Sequence, residues 1–255
     1  MTTDKDTKLR RLFKILHQGN VITIPLLYSL DISDDLRKYY LESGWLESLG
    51  RGAYKKPGDK VGWQGALNAL QKQTGINVHV GGLSALEQHG YSHYFRLSKA
   101  RLYLFSPRQS TLPKWFTNVN WGVEIFHKTT SLLPHDNGIK EMEIKGISVA
   151  VSSPERAIME CLHLAPQNTD LVECFQVFEG LVNLKPGLVT ELLSKCKSIK
   201  VKRLFLYMAE KAGHQWFQFI KTDKIDLGNG KRMITEKGVY NAKYLIYIPK
   251  ELAEL

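Results

Sequence analysis

The segment GWLESLGRGAYKKPGD, residues 44–59, restricts the fold of the first sixty residues more than any other stretch. Apolar residues lie on both sides of Gly50-Arg51-Gly52, and the two glycines permit the positive φ angles that a tight turn requires. The segment therefore predicts two short paired strands, a β-hairpin with Arg51 at its tip.

Three short helical patterns precede this hairpin. In KLRRLFKILHQGN, apolar residues recur at spacings of three and four, and Gly19 ends the pattern. Thr23 can cap a second, short helix. Ser33 can cap a third, whose first turn carries Asp34 and Asp35 at the positive end of the helix dipole. Three helices followed by a hairpin with glycines at its turn predict a winged helix-turn-helix.

Basic side chains gather on the third helix and the hairpin, where a winged helix meets DNA. Asp34 and Asp35 oppose this interpretation unless the dipole and Arg37 neutralise them. Tyr54 is expected to cover the apolar face of the hairpin more than to read a base. The candidate DNA-binding residues are Ser33, Arg37, Lys38, Tyr39, Arg51, Tyr54, Lys55 and Lys56. The alternative is a solvated hairpin on a small helical domain.

The charge balance points to an anionic partner. The chain has 255 residues, 35 of them Lys or Arg and 25 Asp or Glu, for a net charge of +10. Such an excess favours nucleic acid, an anionic membrane surface or an acidic protein. The amino terminus lacks a secretory pattern, and no apolar run approaches the roughly 18 residues of a membrane span, so we expect a cytoplasmic location and no membrane.

The remaining residues predict strands first and helices afterwards. Strands are expected at INVHVGG, RLYLF, WGVEIF and MEIKGISVAVS, the last with a hairpin turn at Lys145-Gly146. Helices are expected at SALEQHGY, opened by Ser84, and at PERAIMECLHLA, DLVECFQVFEGL, GLVTELLSKC and VKRLFLYMAEKA. A closing strand at YLIYI is expected to return to the sheet edge. The fold class is α+β: an N-terminal winged helix-turn-helix at 1–60, then a mixed-sheet α+β domain with a helical group at 61–255.

Catalytic patterns are weak. Glu143-Ile144-Lys145 copies the E-x-K tail of metal-dependent nucleases, with Glu124 as a possible partner, but this tripeptide arises by chance in most charged proteins, and alternation along a hairpin explains it as an exposed pair. His89 and His93 stand four apart without a third ligand nearby. The three cysteines, Cys161, Cys174 and Cys196, show no CxxC spacing and are expected in the core. We predict no catalytic residue, no metal and no cofactor.

Several runs, taken together and in order, resemble one family. They are SGWLESLGRGAYKKPGD and WQGALNALQ in the N-terminal part, and GGLSALEQHGY, SSPERAIMECL, VKRLFLYMAEKAGHQWF and KIDLGNGKR further on. The sequence is similar to the AbiEi antitoxins of type IV toxin-antitoxin systems. The resemblance implies a winged helix that binds inverted repeats in its own promoter and represses it. It also implies a C-terminal domain that antagonises a co-expressed nucleotidyltransferase-like toxin.

A second group of cations surrounds the start of a predicted helix and a glycine-rich loop. Cations at a helix start oppose the dipole, so an anionic partner is one interpretation: flanking DNA, an acidic face of the toxin or its RNA substrate. A solvated helix end is the other. The residues are Lys197, Lys200, Lys202, Arg203, Lys231 and Arg232.

Two alternative functions remain open at this point. One is a nuclease-like enzyme targeted by the winged helix, and the other is a transcription factor with a deep apolar ligand pocket.

Overall fold

The computed structural model describes residues 4–16, 18–91, 101–236 and 238–255. The chain divides into two compact units. The first contains Met1–His79, Gln109–Ile125 and Glu141–Ala150, and the second contains Val80–Arg108, Phe126–Lys140 and Val151–Leu255. The division into domains at 1–60 and 61–255 stays a prediction.

The first unit begins with the winged helix-turn-helix that the sequence predicts. Its elements are α1 (Asp4–Ile15), β1 (Ile22–Thr23), α2 (Ile24–Ser29), α3 (Asp34–Glu42), β2 (Glu47–Gly50) and β3 (Ala53–Lys55). The strands form an antiparallel sheet in the order β1-β3-β2. Strand β1 was not expected from the sequence. The core beneath these elements consists of Leu9, Leu12, Leu16, Ile22, Leu27, Ile32, Tyr40, Leu46 and Tyr54.

Local chemistry fixes the third helix and the wing. The Ser33 hydroxyl accepts a hydrogen bond from the Leu36 amide at 3.3 Å, so this residue caps α3 as expected. The turn between β2 and β3 has positive φ at Gly50 and Gly52. A side chain at Gly50 would also approach the Trp115 Cβ to 3.1 Å. Gly50 therefore allows the positive φ of the turn and also leaves room for Trp115 beside it.

Helix α4 (Trp63–Gln73) is joined to the winged helix through the Gln73 amide. Its Oε1 accepts hydrogen bonds from the Thr23 amide and hydroxyl, both at 2.9 Å. Its Nε2 donates to the Val21 carbonyl at 2.7 Å. Thr23 does precede α2, but its hydroxyl makes no cap bond, because it is engaged by Gln73.

A five-stranded sheet follows, in the order β6-β5-β4-β8-β7. The strands are β4 (His79–Val80), β5 (Arg101–Ser106), β6 (Glu124–Thr129), β7 (Ile139–Ile144) and β8 (Ile147–Ser152). Lys145 and Gly146 both have positive φ, which confirms the predicted hairpin turn. Strand β4 is shorter than the INVHVGG run suggested, and it pairs in parallel with β8.

Ser84 does not cap helix α5 (Gly82–Gln88), which begins after Gly81. Its hydroxyl instead accepts from the Tyr103 amide and donates to the Arg101 carbonyl, each at 2.9 Å. The residue thus fastens α5 to β5, a long-range contact that helix-start patterns in the sequence do not reveal.

The predicted helical group is confirmed. It comprises α7 (Pro154–Leu164), α8 (Leu171–Glu179), α9 (Pro186–Lys195) and α10 (Ile199–Lys211), after the short α6 (Lys114–Thr117). Cys161, Cys174 and Cys196 are free and buried, as expected for core residues. Burial raises the pKa of all three thiols and so disfavours the thiolate form. No helix in the described part of the chain has the length and apolarity of a membrane span.

The C-terminal strand prediction was wrong in one respect. YLIYI does form a strand, β11 (Ile246–Ile248), but in a separate sheet with β9 (Arg232–Met233) and β10 (Val239–Asn241), in the order β10-β11-β9. We call this the small sheet. Ile246 and Ile248 are buried on one side of the small sheet, so β11 packs into the core of the second unit without joining the five-stranded sheet. Helix α11 (Lys250–Glu254) ends the chain.

Candidate nucleic-acid interface

Helix α3 and the wing expose three of the predicted DNA-binding residues. Lys38 has a side chain 75% exposed, with only a long 3.9 Å contact to Glu42. Tyr39 is 45% exposed on the same helix. Arg51 is exposed at the wing tip. Among the described residues, none forms a short ion pair with these side chains, so they can reach a ligand without first breaking one.

The acidic start of α3 is partly neutralised within the protein. Arg37 forms an ion pair with Asp34, and the Tyr28 hydroxyl donates to the same carboxylate at 2.9 Å. The hydrogen bond to Asp34 is the main cause that raises the pKa of Tyr28. Arg37 also lies 5.9 Å from the centre of the Tyr54 ring. Arg37 therefore offsets the negative charge of Asp34, as the DNA-binding interpretation requires. The carboxylate of Asp35 remains exposed.

Lys55 was expected to contact phosphate, but its ammonium group is engaged inside the wing. It lies 3.1 Å from the Glu47 carboxylate and donates to the Asp59 carbonyl at 3.0 Å. Only 17% of its side chain is exposed. Tyr54 is 6% exposed within the core and covers the apolar face of the hairpin, so it does not read a base.

Lys56 was also expected to contact phosphate, and it too has another role. Its ammonium group donates to the Leu16 carbonyl at 2.8 Å and to the Phe13 carbonyl at 3.4 Å, and it lies 5.0 Å from the centre of the Phe13 ring. These carbonyls are at the C-terminal end of α1, where a cation is favoured by the helix dipole. Lys56 therefore caps α1.

Sequence reasoning missed other exposed side chains of the first unit. Arg10, Arg11 and Lys14 are exposed on α1, and Trp45 is 50% exposed between α3 and β2. The exposure of the α1 cations could have been predicted, because a helix that buries its apolar stripe leaves the intervening basic residues on its outer side.

The second cationic group separates into buried and exposed members. Lys200 donates to the His163 and Ala165 carbonyls at the end of α7, and burial lowers its pKa. Lys202 is 4% exposed and donates to the Asp226 carbonyl at 2.8 Å. The chain's own carbonyl oxygens, rather than a partner, satisfy these two cations at the start of α10.

Arg203 is the most completely enclosed cation of this group, at 1% exposed. Its guanidinium donates to four carbonyls of the 226–231 loop and of the turn before β11. The bonds run to Leu227 at 2.8 Å, Gly228 at 2.9 Å, Gly230 at 2.6 Å and Leu245 at 3.1 Å. The expectation that Lys202 and Arg203 form part of a binding surface was therefore wrong. Lys197, Lys231 and Arg232 are exposed.

Two family models match the chain, and together they cover most of its length. Residues 5–97 match the family model "Transcriptional regulator, AbiEi antitoxin N-terminal domain". Residues 99–249 match the model "Transcriptional regulator, AbiEi antitoxin, Type IV TA system". The chain belongs to the AbiEi antitoxin family. The winged helix is thus found in the part of this AbiEi antitoxin that the N-terminal model covers.

The fold of this AbiEi antitoxin also resembles a solved structure. The crystal structure of the RV2827C protein from Mycobacterium tuberculosis matches with a TM-score of 0.58 over 96% of this chain and 92% of that chain. The two sequences are 12% identical, so the likeness concerns the fold alone. No curated protein sequence is significantly similar to the chain.

The nuclease-like arrangement does not form in this AbiEi antitoxin. Glu124 begins β6 and Glu143 lies in β7, and these are the two outer strands of the five-stranded sheet. Four strand spacings separate them, roughly 19 Å, which is too far to share one divalent ion. Glu143 and Lys145 are exposed along the hairpin. Among the described residues, no group of three or more His, Cys, Asp or Glu side chains could hold a metal ion.

The histidine pair is only partly described. His89 lies within 2.9 Å of the Ser152 carbonyl through its Nε2 atom, and His93 lies outside the described residues.

A groove of about 350 Å³ runs along α9 in the second unit. It is lined by Gly187, Thr190, Glu191, Ser194, Phe219, Lys221 and Lys224. Five of these seven residues have polar or charged side chains, unlike the lining of the deep apolar pocket that a small-ligand regulator needs.

We expect replacement of Lys56 by methionine to lower stability rather than DNA affinity. Losing its bonds to the end of α1 should cost about 1 kcal/mol of unfolding free energy. Urea unfolding measures this, with the exposed Lys60→Met as the matched control. An unchanged unfolding midpoint, together with a shallower salt dependence of promoter binding, would show that Lys56 contacts phosphate after all.

Proposed function

We propose that this AbiEi antitoxin binds inverted repeats in its own promoter through α3 and the wing, and thereby represses its own transcription. The observation that carries the proposal is the exposure of Lys38, Tyr39 and Arg51 on the elements that a winged helix presents to duplex DNA. The exposed cations of α1 add positive charge to the same unit. Family membership supports the regulatory role.

The proposal includes the antitoxin role, in the cytoplasm, against a co-expressed nucleotidyltransferase-like toxin. Membership of the antitoxin family supports a toxin partner in general. The specific toxin, and whether it is opposed by contact or through its target, belong to the proposal. An adjoining reading frame with a nucleotidyltransferase signature would supply the partner to test. Co-expression should then restore growth that the toxin alone arrests, and continued arrest would contradict the antitoxin role.

Promoter binding should depend on Arg51 and Lys38 through phosphate contacts. Each change to alanine is expected to reduce the slope of log affinity against log salt concentration by about one, with a similar effect on all duplexes. Electrophoretic mobility shift or fluorescence anisotropy, repeated from low to high salt, measures the slope on the promoter duplex and on an unrelated duplex.

Lys145→Ala is the matched control, because Lys145 is an exposed lysine of the same unit that lies at the sheet hairpin. Its slope should stay within experimental error of the unchanged protein. If all three variants kept the salt slope of the unchanged protein, the wing and α3 would not form the DNA interface. Repression of a promoter reporter should weaken in parallel with affinity, since both depend on occupancy of the same duplex.

A further inference from the structure

The small sheet presents one face to solvent. Tyr240 is paired with Tyr247, and Tyr247 is paired with Met233, so these three side chains lie side by side across the strands. Lys231 precedes Met233 by two residues and points to the same side. Ile246 and Ile248 point to the opposite side and are buried. We call the four solvent-facing side chains, Lys231, Met233, Tyr240 and Tyr247, the outer face.

The outer face combines aromatic rings with a cation. The rings of Tyr240 and Tyr247 have centroids 4.9 Å apart at an angle of 37°. The Lys231 ammonium lies 4.7 Å from the Tyr240 centroid. Met233 is 67% exposed, and both tyrosines are partly exposed. The strands β9, β10 and β11 carry no carboxylate, so the face favours a negatively charged ligand.

Arg203 holds the loop before the outer face in place. Three of its four hydrogen bonds fix carbonyls of residues 227–230, directly before Lys231 and Arg232. The fourth fixes the Leu245 carbonyl, directly before β11. Lys231 and the central strand are therefore positioned by one buried group before any ligand binds, which reduces the ordering cost of association.

We propose that the outer face binds single-stranded nucleic acid, by stacking of bases on Tyr240 and Tyr247 and by pairing of a phosphate with Lys231. Such sites combine aromatic rings with adjacent cations, and each ring accommodates about one base. This activity goes beyond the repression proposed above and does not depend on it.

The size of the small sheet favours nucleic acid over a protein partner. Three strands at a spacing of about 4.8 Å, each two or three residues long, cover roughly 100 Å². A stable protein interface buries about 800 Å² on each partner. Two rings and one adjacent cation are sufficient for a short stretch of single strand, whereas they would form only a small part of a protein interface.

The test uses the full chain and fluorescein-labelled 12-nucleotide strands of mixed sequence, one RNA and one DNA, followed by fluorescence anisotropy. Tyr247→Leu keeps an apolar side chain but removes the ring, and it should weaken binding about tenfold. Tyr247→Phe keeps the ring and should retain affinity within about twofold. Lys231→Ala should reduce the salt slope for single strands by about 0.7. Comparing the RNA and DNA strands shows which of the two the face prefers.

Phe219→Leu is the matched control, since Phe219 is an exposed aromatic residue of the second unit that lies outside the small sheet. It should leave single-strand affinity unchanged. Tyr247→Leu should in turn leave promoter-duplex affinity unchanged, so that failure of this proposal and failure of the repressor proposal are distinguishable. Absence of single-strand binding by the unchanged protein, or equal affinities of Tyr247→Leu and Tyr247→Phe, would overturn the assignment.

Discussion

Replacement of Arg203 by methionine should lower the free energy of unfolding by about 3–5 kcal/mol. The guanidinium is 1% exposed and donates four hydrogen bonds to backbone carbonyls. Hydrogen bonds to a charged group are each worth about 1.5–3 kcal/mol, and their loss leaves buried acceptors without donors. Methionine replaces only the aliphatic part of the side chain, so the lost donors and the space that the guanidinium leaves both contribute to the effect. Urea or guanidinium unfolding, followed by circular dichroism, measures the change.

Two further variants separate the effect of the guanidinium's several N–H donors from the effect of its positive charge. Arg203→Lys keeps the charge but reaches fewer carbonyls, so it should fall between the unchanged protein and Arg203→Met. Arg232→Met removes an exposed cation from the neighbouring strand and should change stability by less than about 0.5 kcal/mol. Equal unfolding midpoints for Arg203→Met and Arg232→Met would mean that the 226–231 loop does not depend on the guanidinium.

Replacement of Glu160 by leucine should be about as damaging, at about 3–5 kcal/mol. The carboxylate is 1% exposed and accepts from the Gly82 amide at 3.0 Å, the Ser152 hydroxyl at 2.9 Å and Arg156 Nε at 2.8 Å. Arg156 is 4% exposed, so removing Glu160 leaves a buried positive charge without its ion-pair partner. The free energy of unfolding, measured in denaturant, tests this expectation.

A double-mutant cycle shows how much of this cost comes from the uncompensated charge. Arg156→Met combined with Glu160→Leu removes both charges and should be less destabilising than the sum of the single changes. Arg156 also donates to the Pro134 and Asn137 carbonyls at 2.7 Å and 2.6 Å, so the double variant should not regain full stability. Strictly additive effects would show that the two side chains do not stabilise each other.

The sequence predicts most of the elements, because their signals are local. Gly50 and Gly52 mark the wing turn, Lys145-Gly146 marks a hairpin, and Ser33 caps α3 through its own hydroxyl. The four later helices coincide with runs of helical periodicity. Each of these features depends on residues a few positions apart, so a single sequence contains the information.

The candidate site was harder to predict, because a cation in the sequence does not reveal which acceptor it meets. Lys56 contacts a helix end forty residues earlier in the chain, and Arg203 contacts a loop about twenty-five residues later. Helix α10 is buried from Val201 to Ala209, so its charged residues cannot be assigned to solvent by periodicity. Carbonyl oxygens at helix ends and in glycine-rich loops accept hydrogen bonds from cations, as phosphate oxygens do, and the sequence alone does not separate the two.

The misplaced strand has a similar cause. YLIYI predicts a strand, but alternation does not specify which sheet receives it, since pairing partners are distant in the sequence. The small sheet was therefore missed, along with the outer face that Tyr240 and Tyr247 form.

The amide of Gln73 has the same hydrogen-bonding pattern as a neighbouring strand. It accepts from one backbone amide and donates to one backbone carbonyl along the free side of β1, two residues apart. An uncovered strand edge is a template for pairing between molecules. With this side chain in place, β1 offers no such template, and two copies of the protein cannot join their winged helices into one continuous sheet at this edge. An amino-terminal fragment that stops at residue 60 would lose this protection and become prone to self-association.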